Sequence, residues 1–434
     1  MISTKEYTKR RKQLMKIAGE GAIIILRSRP EYLRNGDVHH YYRQDSDFYY
    51  LSGFNEPDAV LVMLPGEKGA EHILFCREAD PAKMIWDGPM AGTAGAVDQY
   101  GFEQAFDIKE IDQRLPALIS GCEKICFKIG EDSDFDAKLA NWVKSIETRK
   151  GQKSNVPEEF MSITHVIHDM RLYKSPQEIR CMKKSADIAA AAHIRMMQAC
   201  QPGKFEYDLQ AEYAHHLLSH QSHSSYPPII GSGENGNILH YINNNHVMKD
   251  GDLVLIDAGA EYDFYASDIT RTFPINGRFS ARQKDLYEVV LQAQLDAIEA
   301  VQVGCHWHEF HDVAVKTISQ GLLDLKILKG NLQQVLEEKS YASYYMHMTG
   351  HWLGLDVHDC GDYRVDDLWV ELEENMVLTV EPGLYISENS KAPKAWRGMG
   401  IRIEDDIQVT KKGPVILSHK APKTVQEIEQ TMRG

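Results

Sequence analysis

Five segments of this chain place a metal-ligand type of side chain where an apolar strand would carry none. Asp257 ends Leu253-Val-Leu-Ile-Asp-Ala-Gly, Asp268 lies in Ser-Asp-Ile-Thr-Arg, His351 follows Met-Thr-Gly, Glu381 follows Met376-Val-Leu-Thr-Val, and Glu404 follows Gly400-Ile-Arg-Ile. An unpaired charge in a buried strand is expensive or becomes protonated, whereas one divalent cation satisfies several carboxylates together. Each residue taken singly reads as an ordinary hydrogen-bonded or edge-exposed group. Taken together they constrain the chain to fold so that five strand ends face one pocket.

Spacing supports that convergence. Asp257 and Asp268 bracket Ala-Gly-Ala-Glu-Tyr-Asp-Phe-Tyr-Ala-Ser, a suitable length for two antiparallel strands and a turn that returns the second carboxylate beside the first. Period-two alternation puts Thr379 and Glu381 on one face of a strand, and Arg402 and Glu404 on one face of another. Asp406 shares the face of Glu404, so spacing leaves it open as an alternative ligand.

At 434 residues the chain is long enough for two domains, each with its own core. Its first part alternates helical patterns with apolar runs at Ala22 to Leu26, Ala59 to Leu64 and His72 to Cys76, which predicts a mixed α/β unit. The polar stretch Arg149 to Pro157 predicts a linker. Ser175-Pro-Gln-Glu178 is a helix start, and a long helix should run to about Gln198. Beyond residue 250, strands at Leu253 to Ala258, Ser267 to Phe273, Met376 to Val380 and Gly400 to Val409, with a helix from Ala281 to Val301, make the second half α+β.

The 63 acidic residues against 48 basic ones give a net charge of −15, which repels a phosphate backbone and excludes nucleic acid as a partner. Seven scattered cysteines without a CxxC pair suggest a reducing compartment. The basic, polar first twenty or so residues lack a signal peptide's apolar run, and no stretch approaches the roughly 20 apolar residues of a membrane span. These features predict a cytoplasmic protein that makes no use of a membrane.

The order Asp257, Asp268, His351, Glu381, Glu404 resembles the pita-bread metallopeptidases, which include methionine aminopeptidase and prolidase. The flanking runs Gly231-Ser-Gly-Glu-Asn-Gly, Leu239-His240-Tyr241, Thr349-Gly350-His351, Val380-Glu381-Pro382-Gly383 and Arg43-Gln-Asp-Ser-Asp47-Phe48 look like those of the bacterial aminopeptidase P (Xaa-Pro aminopeptidase) family. The resemblance covers essentially the whole chain. It implies a smaller creatinase-like domain over residues 1–170 and a catalytic pita-bread domain over residues 171–434. It makes Asp257, Asp268, His351, Glu381 and Glu404 the ligands of two ions. It places His240, His347, His358 and Arg402 beside the reaction, and gives Tyr226, Tyr385 and Trp86 contacts with substrate.

Four carboxylates and one imidazole form a hard, oxygen-rich set that favours two Mn(2+) per chain, with Co(2+) or Zn(2+) able to substitute. Two ions about 3.5 to 4 Å apart lower the pKa of a bridging water from roughly 15.7 towards neutrality, which supplies a hydroxide for hydrolysis. Glu381 is then the expected proton acceptor, and His240 and His358 stabilise the oxyanion or aid the leaving nitrogen. The implied substrates are peptides with proline at the second position, and the implied assembly is a homodimer or homotetramer. A dipeptide-restricted prolidase, a non-catalytic peptidase-like binding protein and a metal-free creatinase-like amidinohydrolase are the competing readings.

Other signals are weaker. Gly231 to Gly236 fits G-x-G-x-x-G, but Tyr226-Pro-Pro precedes it and Asn237 to Ile242 reads as a strand, not a helix. His347 and His351 have zincin spacing, but Met348 stands where the general-base glutamate belongs. His215, His216, His220 and His223, and the Cys305 to His311 run, lie in polar amphipathic stretches where histidines are solvated or capping. Cys122 and Cys126 read as core thiols. Trp86 reads either as a buried residue of a structural turn or as a guard of a partner's cleft.

Overall fold

The computed structural model describes residues 1–69, 71–147 and 156–434, so the expected linker lies outside them except for Val156 and Pro157. The described residues form two compact units, Ile2–Arg171 and Leu172–Gly434 together with Met1. No helix among them is long and apolar enough to cross a membrane.

The first unit is built on a six-stranded mixed sheet in the order Gln104–Asp107, His72–Cys76, Val60–Met63, Ala22–Arg27, Lys124–Phe127, Glu159–Ser162. Continuous Ile, Leu and Val runs such as Ala22-Ile-Ile-Ile-Leu are buried on both faces, as strands covered on both sides must be. Ile23, Ile25, Val62 and Phe75 pack one face against Leu115, Ile119, Leu139 and Trp142 of the helices Ile111–Ile119 and Ser133–Glu147.

In the second unit the helix Pro176–Ala199 starts in a capping box: Ser175 Oγ accepts from Glu178 N, and Glu178 Oε2 accepts from Ser175 N at 2.8 Å. This helix and Ala281–Ala300 cover an antiparallel trio, Ile229–Ser232, Leu253–Asp257 and Thr270–Pro274. Asp257 pairs with Thr270, which puts Asp268 two residues further along on the same face. Gly259 makes that return possible, because a Cβ there would lie 1.8 Å from Ser267 O.

Two expected strands fold differently. Gly400 to Val409 is not continuous: Met399–Arg402 pairs with Gly383–Ile386, whereas Asp405–Gln408 pairs with Val377–Val380. The switch falls at Ile403 and Glu404, whose amides donate to Pro382 O and Thr270 O. Asn237 to Ile242 is not a strand but follows a 3₁₀ turn over Gly233–Asn237. Ile238 and Ile242 are exposed, and Tyr241 alone of the run is buried, so the alternation has no core face to satisfy.

Candidate metal centre

Each of the five ligand-type residues sits at a strand end or beside one. Asp257 closes its strand, Asp268 precedes Thr270–Pro274, Glu381 follows Val377–Val380, and Glu404 occupies the switch between two strands. His351 is brought in by a segment running against Val377–Val380, with Thr379 N donating to His351 O and Glu381 N to Thr349 O. Gly350 permits this approach, since a Cβ there would stand 2.0 Å from Thr379 O. Glu404 is fixed from below by Arg271, whose buried guanidinium donates to Glu404 O at 2.6 Å and to Asp405 Oδ1 at 2.7 Å.

All five residues line one cavity of about 270 Å³, together with His240, His347, His358 and Arg402. It adjoins a second cavity of about 350 Å³ walled by Tyr226, Pro227, Ile229, Ile242 and Val357, and the two share Asp257, Asp268, His240 and His358. Of the two acids that alternation left open, Glu404 faces the cavity and Asp406 is engaged elsewhere. Asp405 is held by Arg271 and Lys423, and Asp406 Oδ1 accepts from Asp268 N, while Glu404 lines the cavity.

Ligand-type atoms of Asp268, His351 and Glu404 lie within 4.8 Å of one another. His351 Nε2 stands 3.3 Å from Asp268 Oδ2 and 3.6 Å from Glu381 Oε1. Its Nδ1 meets Trp352 O at 2.9 Å, which assigns a proton to Nδ1 and aims Nε2 at the carboxylates, the position from which a cation would be bound. Glu404 is 1 % exposed; Oε2 accepts from Thr270 Oγ1 at 2.6 Å, but Oε1 is buried with no hydrogen-bond partner. Tyr226 OH lies 2.5 Å from both Asp257 Oδ1 and Asp268 Oδ1, two acceptors for a single hydroxyl proton.

Charge tells the same story. Burial, and then repulsion from Asp268, Glu381 and Asp257, drives the Glu404 carboxyl well above its ordinary range, and burial lifts Glu381 to about 7. Burial raises Asp257 too, against the pull of Arg402. Burial disfavours the His351 cation, but Asp268 and Glu381 outweigh it and raise the imidazole to about 9. For Asp268 burial is likewise outweighed, here by His351, and its carboxyl is lowered. A pocket of crowded acids, an orphaned carboxylate oxygen and an imidazolium whose Nε2 proton stands where a cation would replace it fits a divalent cation.

Around this set runs a hydrogen-bonded chain. Arg402 donates to Asp257 Oδ2 at 2.6 Å and to Tyr385 OH at 2.8 Å, and Tyr385 OH lies 2.9 Å from His347 Nε2. His347 Nδ1 lies 2.7 Å from Met348 O, and burial followed by the nearby Arg402 lowers this imidazole to about 4, so it stays neutral. The His351 and His358 rings meet edge to face at 4.4 Å. Trp86 belongs to the other unit, on the short helix Pro81–Asp87, and its bland reading as a buried residue is wrong: it is 87 % exposed. Thr379, placed by alternation on the face of Glu381, donates to Glu381 Oε1, whereas sequence reasoning passed over Thr270, which steadies Glu404, and His311, whose Nδ1 meets Thr349 Oγ1 at 2.8 Å. Thr270 shared a face with Asp268, which was the available signal.

Crowded carboxylates with one imidazole, carried on antiparallel strand ends at the floor of a cleft, define a metal-dependent hydrolase. Residues 180–411 match Metallopeptidase family M24, and residues 7–127 match Aminopeptidase P, N-terminal domain. The chain belongs to metallopeptidase family M24, with a pita-bread second unit and a mixed α/β first unit. It is 41 % identical to the Xaa-Pro aminopeptidase of Escherichia coli K12 over 435 residues, 99 % of this chain and 98 % of that one. Among solved structures, Pseudomonas aeruginosa aminopeptidase PepP superposes with a TM-score of 0.98 at 47 % identity, covering 100 % of this chain and 98 % of the other. Zinc-substituted E. coli aminopeptidase P in complex with product gives 0.96 at 40 % identity, with the same coverage of 100 % and 98 %.

Proposed function

We propose that this protein is an Xaa-Pro aminopeptidase that hydrolyses the bond between an N-terminal residue and a following proline. What carries the reading is the convergence of Asp257, Asp268, His351, Glu381 and Glu404 on one cavity, in a chain 41 % identical to an Xaa-Pro aminopeptidase along its full length. Residues 1–170 are assigned as the creatinase-like domain and 171–434 as the catalytic domain.

Asp257, Asp268, His351, Glu381 and Glu404 are the residues that would hold two divalent ions. The hard donor set favours Mn(2+), and the zinc-substituted E. coli relative supports Zn(2+) as a replacement. When bound, the cations polarise the scissile carbonyl and activate the attacking water. Glu381 takes the proton released by that water. His240 and His358, which line both cavities, donate to the developing oxyanion or to the departing nitrogen. Arg402 pairs with Asp257 against the effect of burial and, through Tyr385, orients the neutral His347. Tyr226 closes the cleft over the two aspartates. Proline's nitrogen carries no N–H, so the apolar wall of Pro227, Ile229, Ile242 and Val357 need offer no acceptor to the ring.

Trp86 and Ile85, 87 % and 82 % exposed on one short helix, support a homodimer or homotetramer that covers them. The seven free cysteines support a cytoplasmic location. The experiment that separates this activity from a dipeptide-restricted prolidase is digestion of an Xaa-Pro-Xaa tripeptide beside the Xaa-Pro dipeptide. Release of the first residue from the tripeptide is expected, and an intact tripeptide beside a cleaved dipeptide would transfer the assignment to prolidase.

A further inference from the structure

Glu206 opens the helix Glu206–Ser219, is 0 % exposed, and forms no ion pair among the described residues. Its carboxylate accepts five hydrogen bonds. On Oε1 arrive Ser232 N at 2.7 Å, Ser232 Oγ at 2.7 Å and Asn235 Nδ2 at 3.1 Å; on Oε2 arrive Tyr241 OH at 2.8 Å and His246 N at 3.0 Å. Every donor comes from the segment 232–246, the irregular stretch that replaced the expected strand and that carries His240. Beyond Ser232 this stretch joins no strand; two backbone donors, Ser232 N and His246 N, and three side-chain donors end together on Glu206, an acceptor-only carboxylate able to take all five.

The bonds lie on both sides of His240. Ser232 and Asn235 hold the incoming arm, and Tyr241 and His246 the outgoing one. The Tyr241 ring packs with Ile229, Leu255 and Tyr385, so the tether also touches the wall that holds Tyr385 against Arg402 and His347. We infer that Glu206 is a positioning residue for the aminopeptidase reaction, the anchor that sets the His240 loop beside the metal ligands. The inference rests on the activity proposed above.

Glu206→Gln keeps the size of the side chain, but whichever way its amide turns, either Ser232 N or His246 N loses its acceptor. The full-length, manganese-loaded protein serves as wild type, Glu206→Gln, Tyr241→Phe, His240→Ala and the Glu206→Gln/His240→Ala double variant. Amide hydrogen exchange over 232–246, metal content, and kcat and KM on an Xaa-Pro-Xaa tripeptide are measured. Glu206→Gln should speed exchange over 232–246 while Leu253–Asp257 stays protected and metal content is unchanged, and kcat should fall by about 10- to 100-fold with KM little altered. His240→Ala should cost less in the Glu206→Gln background than alone. Unaltered exchange, or an equal cost of His240→Ala in both backgrounds, overturns the inference. If Glu206→Gln does not fold, Tyr241→Phe, which deletes one of the five bonds and keeps the ring, must show faster exchange and a smaller loss of kcat; wild-type behaviour in that variant overturns it too. A wild-type protein that leaves the tripeptide whole refutes the activity, and the exchange result then decides the tether alone.

Discussion

Arg402 Nη2 donates to Asp257 Oδ2 across 2.6 Å, so the cation that Asp257 holds within the chain is drawn from a strand far away in sequence. The pair is buried, and the guanidinium is the fixed positive charge among acids that otherwise repel. Arg402→Met should therefore lower kcat/KM strongly and reduce stability by about 3 to 5 kcal/mol, the usual cost of orphaning a buried charge. Urea titration of the metal-free variant against metal-free wild type checks it.

Glu404→Gln separates repulsion from ligation. Its buried, unpartnered Oε1 and its raised pKa mean that the metal-free protein gains little from the carboxylate. Thermal denaturation of metal-free Glu404→Gln should match or exceed metal-free wild type. Saturating manganese should raise the wild-type Tm by about 3 to 5 °C, the shift that roughly 2.7 kcal/mol of linkage produces at a hundredfold excess over Kd in a chain of this size, and should raise the variant far less.

Asp47 in the first unit gives a pH test away from the metals. Burial at 2 % exposure favours its neutral form, but His168, Arg171 at 2.7 Å and Lys128 at 3.0 Å outweigh that and hold the carboxyl well below its usual range. A depressed folded-state pKa contributes stability that is complete above the unfolded value near 3.9 and is lost as pH falls through the folded value. Asp47→Asn should be clearly less stable than wild type at pH 7 and converge on it as the pH drops below about 4. Urea midpoints measured across that range report the difference.

Lys174 and Asp359 form a buried pair, Nζ to Oδ2 at 3.1 Å, and Asp359 N donates to Trp352 O, the same carbonyl that His351 Nδ1 meets. Lys174→Met alone should cost about 3 to 5 kcal/mol, and Lys174→Met with Asp359→Leu should recover much of it. A double-mutant cycle on urea stability checks the coupling.

The sequence made the strand runs legible because apolar runs and turn formers are local signals. His72 to Cys76 and the helix from Pro176 are found as expected. The break at Ile403 and Glu404 was not legible, since it arises where Thr270 O and Pro382 O, remote in sequence, capture two amides. The same limit hid Glu206, which is an ordinary first-turn acid in one dimension and a five-fold acceptor only once the chain has closed. Alternation placed both Glu404 and Asp406 on one face; only the seating of Arg271 and of Asp268 N distinguishes them.

Metal content after chelation and reloading tests the central claim most directly. Protein stripped with a chelator, dialysed against manganese and measured by plasma mass spectrometry should retain about two ions per chain, and Asp268→Ala fewer, in line with a paired-cation site. No retained metal in the wild type, or equal retention in Asp268→Ala, would contradict it.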